Sequence, residues 1–582
     1  MVSELHAELF YKIRIDNPNS HYAQVDITIT GIKTKTLELK MPVWTPGSYM
    51  VREFEKNIDR VVAKAGQVKI NDRVIAFSDK ASISKKDKNT WVVDPKGETA
   101  VCISYPVYCF EQSVRTSYID NDHAFLLLTS CLMYPDGFKG SGELQLEFPT
   151  SWTKVSTTLE RIDQNHYRFN NYDELVDSPI EIGNHSELSF EVAGVPHKVA
   201  MVGRNNCQAE TFKKDITKVC ETMYNIIGAH PCKSYLFIVH HVEEGGGGLE
   251  HANSCVVQMP RFNYSNPDRY KAFLGLLAHE YFHLWNVKRI RPAALGPFDY
   301  SKENYTNLLW VAEGITSYYD ELAMYRAGFI SESDYLKALA STFSATLNRK
   351  GGEVQSMHEA SFDAWIKEYR NTENSINNNI SYYLKGSALA ALLDIELLSA
   401  TNGEKGLDKL MQYLYSEYYI GKQRGFSDDE FYAAIDKIAG KALNFRAWAT
   451  GLNDASTMEK LAEVMKKAAC TLKNRDNNNQ YFTGITTEQK GDKLMVRWVE
   501  ANSPAWKSGI QAGDEIIAVN DIRAKTSLDE VLKNSNSPYQ FLISRAGLIR
   551  TIALNTEKSQ KYDLQLSIDK GDDVILKAWL KK

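Results

Sequence analysis

The chain has 582 residues, more than a single hydrophobic core usually accommodates, so we expect several domains. Hydrophobic residues make up 43% of the sequence and charged residues 24%, and the net charge of −5 does not favour a nucleic-acid partner, which would need a clustered basic face. No stretch approaches the length of apolar sequence that spans a bilayer, so no membrane span is predicted. The eight cysteines form no CxxC pair and are too sparse for a disulfide scaffold, so we expect mostly buried free thiols.

The first residues contain no basic stretch followed by an apolar one, so no signal peptide is expected in this sequence. The sequence does not decide the cellular compartment. The sequence as it stands is typical of a cytoplasmic protein, whereas a protein from which a signal peptide was removed would be periplasmic or exported. The oligomeric state is not indicated.

The pattern along the chain predicts an α+β multidomain protein with three parts. Residues 1–185 alternate between apolar and polar positions in short runs separated by turn residues, which predicts a β-sandwich-like N-terminal domain. Within it, Trp44-Thr-Pro-Gly-Ser-Tyr49 is a Pro-Gly turn flanked by aromatic residues, and no catalytic grouping is evident. The predicted strands are 9–15, 23–29, 37–41, 101–107, 124–128 and 143–148.

Residues 186–470 form the second predicted domain, with strands at 235–240 and 254–259 around a glycine-rich segment and helical periodicity from about 266 to 467. Asn477-Asn-Asn479 marks a linker. Residues 471–582 form the third predicted domain, in which β-rich sequence returns. Its last segment, Tyr562 to Leu580, is predicted to supply one or two strands that close a sheet edge.

His279-Glu280-Tyr281-Phe282-His283 is an HExxH sequence on a predicted helix. Asn266 is a suitable N-cap, Pro267 fits the first helical position, and apolar residues recur at helical spacing beyond it. Histidines four residues apart project from one helix face and can share a metal ion. Glu280 lies beside them and is placed to take a proton from a water molecule at the metal, so the motif predicts a catalytic zinc site.

A catalytic zinc ion usually takes a third protein ligand. Glu313 is the best candidate, because it is a single acid in an otherwise apolar helical stretch, Trp310 to Tyr319, where a lone buried carboxylate is costly unless paired or metal-bound. A buried ion pair is the alternative explanation. Asp320 follows after two helical turns, and we expect it either to orient His279 by a hydrogen bond or to be an ordinary polar residue.

An HExxH motif with a later Glu-Gly helix resembles the gluzincin metallopeptidases, and the His283-Leu-Trp285 continuation resembles the aminopeptidase N group. Here 29 residues lie between His283 and Glu313, a longer spacing than in that group, and the insertion includes Lys288-Arg-Ile-Arg-Pro292. HEYFHLWNVKRIRP, VAEGITSYY, PVWTPGSY and a C-terminal PDZ-like module together resemble the glycyl aminopeptidase family of PDZ-bearing metallopeptidases. The resemblance implies a thermolysin-like catalytic domain, one Zn²⁺ per chain, peptide substrates and a preference for small N-terminal residues.

The glycine-rich segment ends in Gly247-Gly248-Leu249-Glu250. A glycine run lets backbone approach a ligand closely, and an adjacent carboxylate can bind a free α-ammonium group. The segment resembles the edge strand of aminopeptidase N, which implies that Glu250 binds the substrate amine beside Gly247 and Gly248. Glu243 and Glu244 could share this role, and a flexible loop with a solvated acid is the alternative.

Tyr383-Leu-Lys-Gly386 precedes a helical run from 387 to 398. It resembles the segment that supplies an oxyanion-stabilising tyrosine in aminopeptidase N relatives, which implies that role for Tyr383. Tyr382 is adjacent and could be the donor instead. A purely structural role for either tyrosine is the alternative.

Residues 480–556 resemble a PDZ domain. A carboxylate-binding loop, Tyr481-Phe482-Thr483-Gly484-Ile485, precedes a strand at 493–499, and 527–533 would be the groove helix. Backbone N–H groups of such a loop capture the C-terminal carboxylate of a peptide that adds to the sheet edge. The module could instead only pack on a neighbouring domain.

Three functions remain open from the sequence: a zinc aminopeptidase, a zinc endopeptidase in which Glu250 binds no amine, and an inactive PDZ scaffold. Retention of Glu280 favours an enzyme, because metal binding alone does not require this residue.

Overall fold

The computed structural model describes residues 9–68, 75–475, 481–534, 537–558, 561–569 and 573–581. The chain divides into two compact units, Met1–Tyr305 with Tyr415–Gly425, and Thr306–Leu414 with Phe426–Lys582. None of the helices in the described ranges is long and apolar enough to cross a membrane.

The first unit begins with strands that form three sheets. An eight-stranded sheet has the order β14-β15-β12-β1-β2-β8-β4-β5, and two four-stranded sheets have the orders β13-β16-β10-β9 and β11-β3-β7-β6. These strands are β1 (Leu9–Arg14), β2 (Tyr22–Thr30), β3 (Leu37–Lys40), β4 (Val62–Val68), β5 (Ile75–Ser78), β6 (Ser82–Lys85), β7 (Thr90–Asp94), β8 (Ala100–Tyr108), β9 (Tyr118–Ile119), β10 (His123–Leu126), β11 (Tyr134–Pro135), β12 (Gly142–Glu147), β13 (Lys154–Ser156), β14 (Glu160–Asp163), β15 (His166–Phe169) and β16 (Ile180–Gly183).

Alternating burial along these strands explains the sequence pattern. In β2 the side chains of Ala23, Val25, Ile27 and Ile29 are fully buried, while the intervening polar residues are partly exposed. Successive side chains of a strand point to opposite faces, so one face joins the core and the other meets solvent. The predicted strands of this region are therefore confirmed, with small shifts at their ends.

The second part of the first unit is a five-stranded sheet with the order β17-β18-β19-β21-β20. The strands β18, β19 and β21 are parallel, and β20 is an antiparallel edge strand. All residues of β19 are buried, as expected for a parallel strand covered on both faces. The elements are β17 (Ser186–Val192), β18 (Val195–Val202), β19 (Tyr235–Val242), β20 (Gly247–Glu250) and β21 (Ser254–Pro260), with α1 (Tyr172–Val176), α2 (Ala209–Ile227), α3 (Pro267–Phe282) and the π-helical segment Tyr415–Lys422.

Helix α3 carries the HExxH sequence and begins where the sequence predicts. The side chain of Asn266 accepts hydrogen bonds from the backbone N–H groups of Asp268 and Arg269, and Pro267 is the first helical residue. His279 lies in the last turn, and His283 is the C-cap residue and still has helical backbone angles. Both histidines therefore keep the predicted helical spacing.

The second unit begins with helices. The segment Trp310–Gly314, which contains Glu313, is π-helical rather than α-helical, and π-helical turns of this kind are frequent at functional sites. The helices that follow are α4 (Ile315–Arg326), α5 (Glu332–Asn348), α6 (Met357–Phe362), α7 (Ser375–Asn378), α8 (Leu384–Ala400), α9 (Leu407–Leu414), α10 (Asp428–Ala439), α11 (Arg446–Thr450) and α12 (Thr457–Lys467).

The PDZ-like part of the second unit has a six-stranded sheet in the order β23-β24-β25-β27-β28, with β26 paired to β25. The predicted groove helix is present as α14, and the predicted linker at 477–479 lies outside the described residues. The elements are β22 (Cys470–Asn474), β23 (Ile485–Lys490), β24 (Lys493–Val499), α13 (Pro504–Ser508), β25 (Glu515–Val519), β26 (Ile522–Arg523), α14 (Leu528–Lys533), β27 (Tyr539–Arg545), β28 (Leu548–Leu554), β29 (Leu564–Ile568) and α15 (Val574–Trp579).

The prediction for the last segment missed a helix. The described residues between 562 and 580 contain one strand, β29, in agreement with the one or two strands predicted, and then a helix, α15, that the sequence pattern did not predict. Strand β29 pairs with β22, which precedes the PDZ sheet in the chain, and Trp579 of α15 donates a hydrogen bond to Tyr318 of α4 at 2.9 Å. The chain therefore returns to the helical part after the PDZ sheet, because Trp579 and its neighbours are buried there.

Candidate active site

The two histidines of the HExxH sequence lie side by side at the end of α3, with ring centroids 4.7 Å apart. Nδ1 of His283 lies 2.7 Å from the carbonyl oxygen of Asn286. A carbonyl only accepts hydrogen bonds, so Nδ1 carries the proton and Nε2 presents its lone pair, as a metal-binding imidazole requires. The donor set at the end of α3 therefore suits zinc.

Two buried carboxylates of the first unit converge beside the ring of His283. Glu250, Glu280 and His283 each offer a ligand-type atom, and these atoms all lie within 4.8 Å of one another. The exposed fractions of the three residues are only 3%, 5% and 1%. By contrast, Glu243 and Glu244 are exposed on the turn before β20. The geometry thus favours Glu250 among the three candidate acids for amine binding.

Gly248 of the edge strand packs directly against the carboxylate of Glu280. A Cβ atom at this position would overlap the Oε1 and Cδ atoms of Glu280, so only glycine leaves room for the carboxylate. Gly247 has a positive φ of 97°, and a Cβ atom there would meet no atom of the described residues within 4 Å. Substrate contacts of either glycine stay a prediction.

We expect Gly248→Ala to lower kcat about 100-fold, because the added methyl group must displace the carboxylate of Glu280 and misplacements of about 1 Å have effects of this size. Gly246→Ala is the matched control, since a Cβ atom there meets no described atom within 4 Å and its φ is not positive. Steady-state kinetics of both variants test this. Equal kcat values for the two variants would contradict the proposed contact.

A buried ionic cluster fixes the end of the edge strand next to Glu250. Asp177 Oδ1 accepts hydrogen bonds from His251 Nδ1 and from Lys288 Nζ, both at 2.9 Å, and its Oδ2 accepts one from the backbone N–H of Ala252 at 2.9 Å. Burial raises the pKa of Asp177, but Lys288 and His251 outweigh burial and lower this pKa to about 2. The cluster thereby joins the N-terminal domain, the edge strand and the segment after α3.

Arg289 contributes to the same connection. Its guanidinium donates hydrogen bonds to the carbonyl oxygen of Ala252 and to Asn253 Oδ1, the latter at 2.7 Å. Lys288 and Arg289 belong to the basic insertion that follows the HExxH sequence. The sequence pattern assigns no role to this insertion, although its positive charge is the signal that a buried acid such as Asp177 pairs with it.

In the second unit Glu313 is only 2% exposed and lies near the phenol of Tyr383. Burial raises the pKa of Tyr383 well above its usual range, and the charge of Glu313 raises it further, so the phenol stays protonated and can donate. Asp320 lies on α4 next to Glu321, and burial together with the charge of Asp320 raises the pKa of Glu321 to about 7. It stays a prediction that Glu313 binds the same metal ion as the two histidines. It also stays a prediction that Asp320 orients His279.

Tyr383 is the N-cap residue of α8, and it is partly exposed whereas Tyr382 is fully buried. The hydroxyl groups of Tyr383 and Tyr369 lie 3.2 Å apart. Sequence reasoning did not identify Tyr369, which no motif distinguishes among 31 tyrosines. Partial exposure beside Glu313 favours Tyr383 over Tyr382 as the donor.

Two glycines bring the segments of Glu313 and Tyr383 together. A Cβ atom on Gly314 would lie 2.5 Å from Cα of Gly386, and one on Gly386 would lie 2.9 Å from Cα of Gly314. Side chains at these positions would force the two helical segments apart. The close crossing therefore explains the glycine in both the Ala-Glu-Gly and the Tyr-Leu-Lys-Gly sequences.

A second group of potential metal ligands lies elsewhere in the first unit. Glu181 is fully buried between His123, at 2.8 Å, and His240, at 2.9 Å. Burial raises the pKa of Glu181, but the two imidazoles lower it to about 2. Direct hydrogen bonds therefore satisfy this carboxylate without a metal ion.

The predicted carboxylate loop of the PDZ domain lies next to helix α13. Thr483 accepts a hydrogen bond from the backbone N–H of Ala505 at 2.9 Å, and Gly484 has a positive φ of 79°. The N–H of Ile485 donates to Thr483 Oγ1 at 3.2 Å. The loop side chains of Tyr481 and Phe482 are partly buried, and carboxylate binding by the loop stays a prediction.

Comparison with protein families gives three matches. The model of the M61 glycyl aminopeptidase family matches residues 272–389, and the model of the peptidase M61 N-terminal domain matches residues 10–184. The model of the PDZ domain matches residues 495–533. No curated protein matches the chain.

Among solved structures, an aminopeptidase N family protein from Idiomarina loihiensis superposes with a TM-score of 0.89 at 29% identity, over 99% of this chain and 100% of that one. An M1 zinc metallopeptidase from Deinococcus radiodurans gives a TM-score of 0.47 at 12% identity, over 77% and 94% of the two chains. Yeast LTA4 hydrolase in complex with bestatin gives a TM-score of 0.47 at 15% identity, over 77% of this chain and 68% of that one.

The family matches and the HExxH helix define a zinc metallopeptidase of the aminopeptidase type. The chain belongs to the M61 glycyl aminopeptidase family and carries a PDZ domain. The family resemblance, the α+β multidomain fold and the PDZ domain expected from the sequence are thereby confirmed.

Proposed function

We propose that this enzyme removes single N-terminal residues, preferably glycine or alanine, from peptides with a free amino group. One zinc ion per chain would be held by His279, His283 and Glu313. The observation that carries the proposal is the convergence of Glu250, Glu280 and His283, with ligand-type atoms within 4.8 Å of one another. An acid for the substrate amine thus lies beside the acid for the attacking water.

Zinc, when bound, supplies the positive charge that polarises the scissile carbonyl group and acidifies a water molecule. The residues present suit this ion, because His283 presents Nε2 and Glu313 is a buried carboxylate of the kind that completes such sites. Asp320 is proposed to orient His279 by a hydrogen bond. His283 is oriented by the hydrogen bond from its Nδ1 to the carbonyl oxygen of Asn286.

Three side chains then have separate roles in the reaction. Glu280 takes the proton of the attacking water and passes it to the leaving amine, as a general base and then a general acid. Tyr383, protonated and rigid at the start of α8, donates a hydrogen bond to the developing oxyanion. Glu250 binds the α-ammonium group, so the bond after the first residue lies at the reacting position.

Support for a preference for small N-terminal residues comes from the glycyl aminopeptidase family that the chain matches. The PDZ domain is proposed to bind the C-terminus of a peptide, with the carboxylate at the loop Tyr481–Ile485. Such loops use backbone N–H groups, which tolerate varied side chains.

Cleavage of glycyl and alanyl p-nitroanilides beside their N-acetylated forms tests the proposal. We expect the free amines to be cleaved at least about 100-fold more efficiently, since an acetylated amine loses the charge that Glu250 binds and leaves the buried carboxylate without a partner. Equal efficiency would identify an endopeptidase. Absence of cleavage of any substrate by zinc-loaded enzyme would favour a PDZ scaffold without activity.

A further inference from the structure

The segment Thr45-Pro46-Gly47-Ser48 forms a tight turn in the N-terminal domain. The backbone N–H of Ser48 donates to the carbonyl oxygen of Thr45 at 3.1 Å, and Gly47 has a φ of 88°. Proline at the second position and a residue with positive φ at the third define a type II turn, which favours glycine at the third position. The proposed function assigns no role to this turn.

The turn is held rigidly on both sides. Trp44 Nε1 donates to the carbonyl oxygen of Asp299 at 2.8 Å, and Ser48 Oγ accepts a hydrogen bond from Arg52 at 2.7 Å. Trp44 and Ser48 are fully buried. A close contact made by this turn therefore cannot be relieved by a simple movement of its backbone.

Gly47 faces the carboxylate of Glu250, which comes from the edge strand β20 of the catalytic sheet. A Cβ atom on Gly47 would lie 2.5 Å from Oε2 and 2.6 Å from Oε1 of Glu250. Oε1 of Glu250 is buried and accepts no hydrogen bond from any residue that the structure describes. The turn thus packs against the carboxylate, and Oε1 keeps an unused capacity to accept a hydrogen bond.

We infer that Gly47 is a positioning residue for Glu250. The bare Cα of Gly47 in the rigid turn supports the carboxylate at the position where it binds the substrate's α-ammonium group. This inference rests on the proposed role of Glu250. The turn of the N-terminal domain is thereby part of the aminopeptidase site. Glycine is required at position 47 for two reasons: the positive φ of the turn and the close approach of the Glu250 carboxylate.

Gly47→Ala tests the inference, with Gly97→Ala as the matched control. Gly97 lies in the same domain with a φ of 85°, but a Cβ atom there meets no described atom within 4 Å, so both variants carry the same backbone strain and only one carries the clash. We expect Gly47→Ala to raise KM for glycyl p-nitroanilide about 10- to 100-fold with little change in kcat, because amine binding contributes equally to ground and transition states. Gly97→Ala should leave both constants unchanged. Equal KM values for the two variants would overturn the inference.

Variants of Glu250 separate this inference from the proposed function. Glu250→Gln should raise KM on its own, and an unchanged KM in this variant would refute the amine-binding role and the inference with it. A raised KM in Glu250→Gln with normal KM in Gly47→Ala would refute only the inference. Glu250→Asp shortens the side chain and makes room for the added methyl group, so it should raise KM less in the Gly47→Ala background than in the native enzyme. Independent effects of the two substitutions on KM would argue against a direct contact.

Discussion

Glu280→Gln should lower kcat about 100- to 10,000-fold, the range that a general acid–base residue contributes. The amide occupies nearly the same space against Gly248, but it cannot accept and return a proton. The two histidines are unchanged, so zinc should remain bound. Steady-state kinetics on glycyl p-nitroanilide together with metal analysis of the purified variant measure both expectations.

Glu244→Gln is the matched control for this variant. It removes the same negative charge, but at an exposed position on the turn before β20. It should keep native kcat. Substantial activity of Glu280→Gln would show that another group is the base. Loss of zinc from this variant would instead show that Glu280 is required for the metal site itself.

Gly314→Ala should destabilise the protein by about 1–3 kcal/mol, as overpacking of a close contact does. In a helical segment alanine is normally preferred to glycine by about 0.5–1 kcal/mol, so a net loss requires the clash with Gly386. Because the clash separates Glu313 from Tyr383, kcat/KM should also fall, by about 100-fold. Thermal unfolding and steady-state kinetics measure the two effects.

Ser317→Ala provides the control for this substitution, since Ser317 lies one turn further along on α4 and is partly exposed. Its unfolding temperature and activity should remain near the native values. Native stability of Gly314→Ala would mean that the two segments can separate without cost. The close glycine crossing would then not be what holds Glu313 beside Tyr383.

The helix that carries the HExxH sequence could be predicted because every signal for it is local. Asn266 and Pro267 start the helix, and the apolar spacing from Phe273 to Trp285 continues it. Hydrogen bonds between residues four apart then fix the relative positions of His279, Glu280 and His283. The strands of the N-terminal domain were predictable for the same reason, since alternating burial repeats every two residues.

Contacts between distant segments were not predictable. Nothing in the local sequence around Gly47 indicates that it faces Glu250, about 200 residues later, or that Asp177 pairs with His251 and Lys288. The π-helical turn at Trp310–Gly314 was expected as an ordinary α-helix, because its apolar pattern is compatible with both. The last helix, α15, was not predicted, because it packs against helices that lie before the PDZ sheet in the chain.

The sequence by itself predicted the chemistry of the candidate site: two histidines, an adjacent glutamate and an acid two residues after a glycine run, each recognised from the spacing within one element. The tertiary structure decided which carboxylates are buried next to which groups. It showed Glu250 rather than Glu243 or Glu244 beside Glu280, and it brought the turn of Gly47 onto that carboxylate. Periodicity reports which face of an element is buried, whereas the identity of the buried neighbour depends on how separate elements pack.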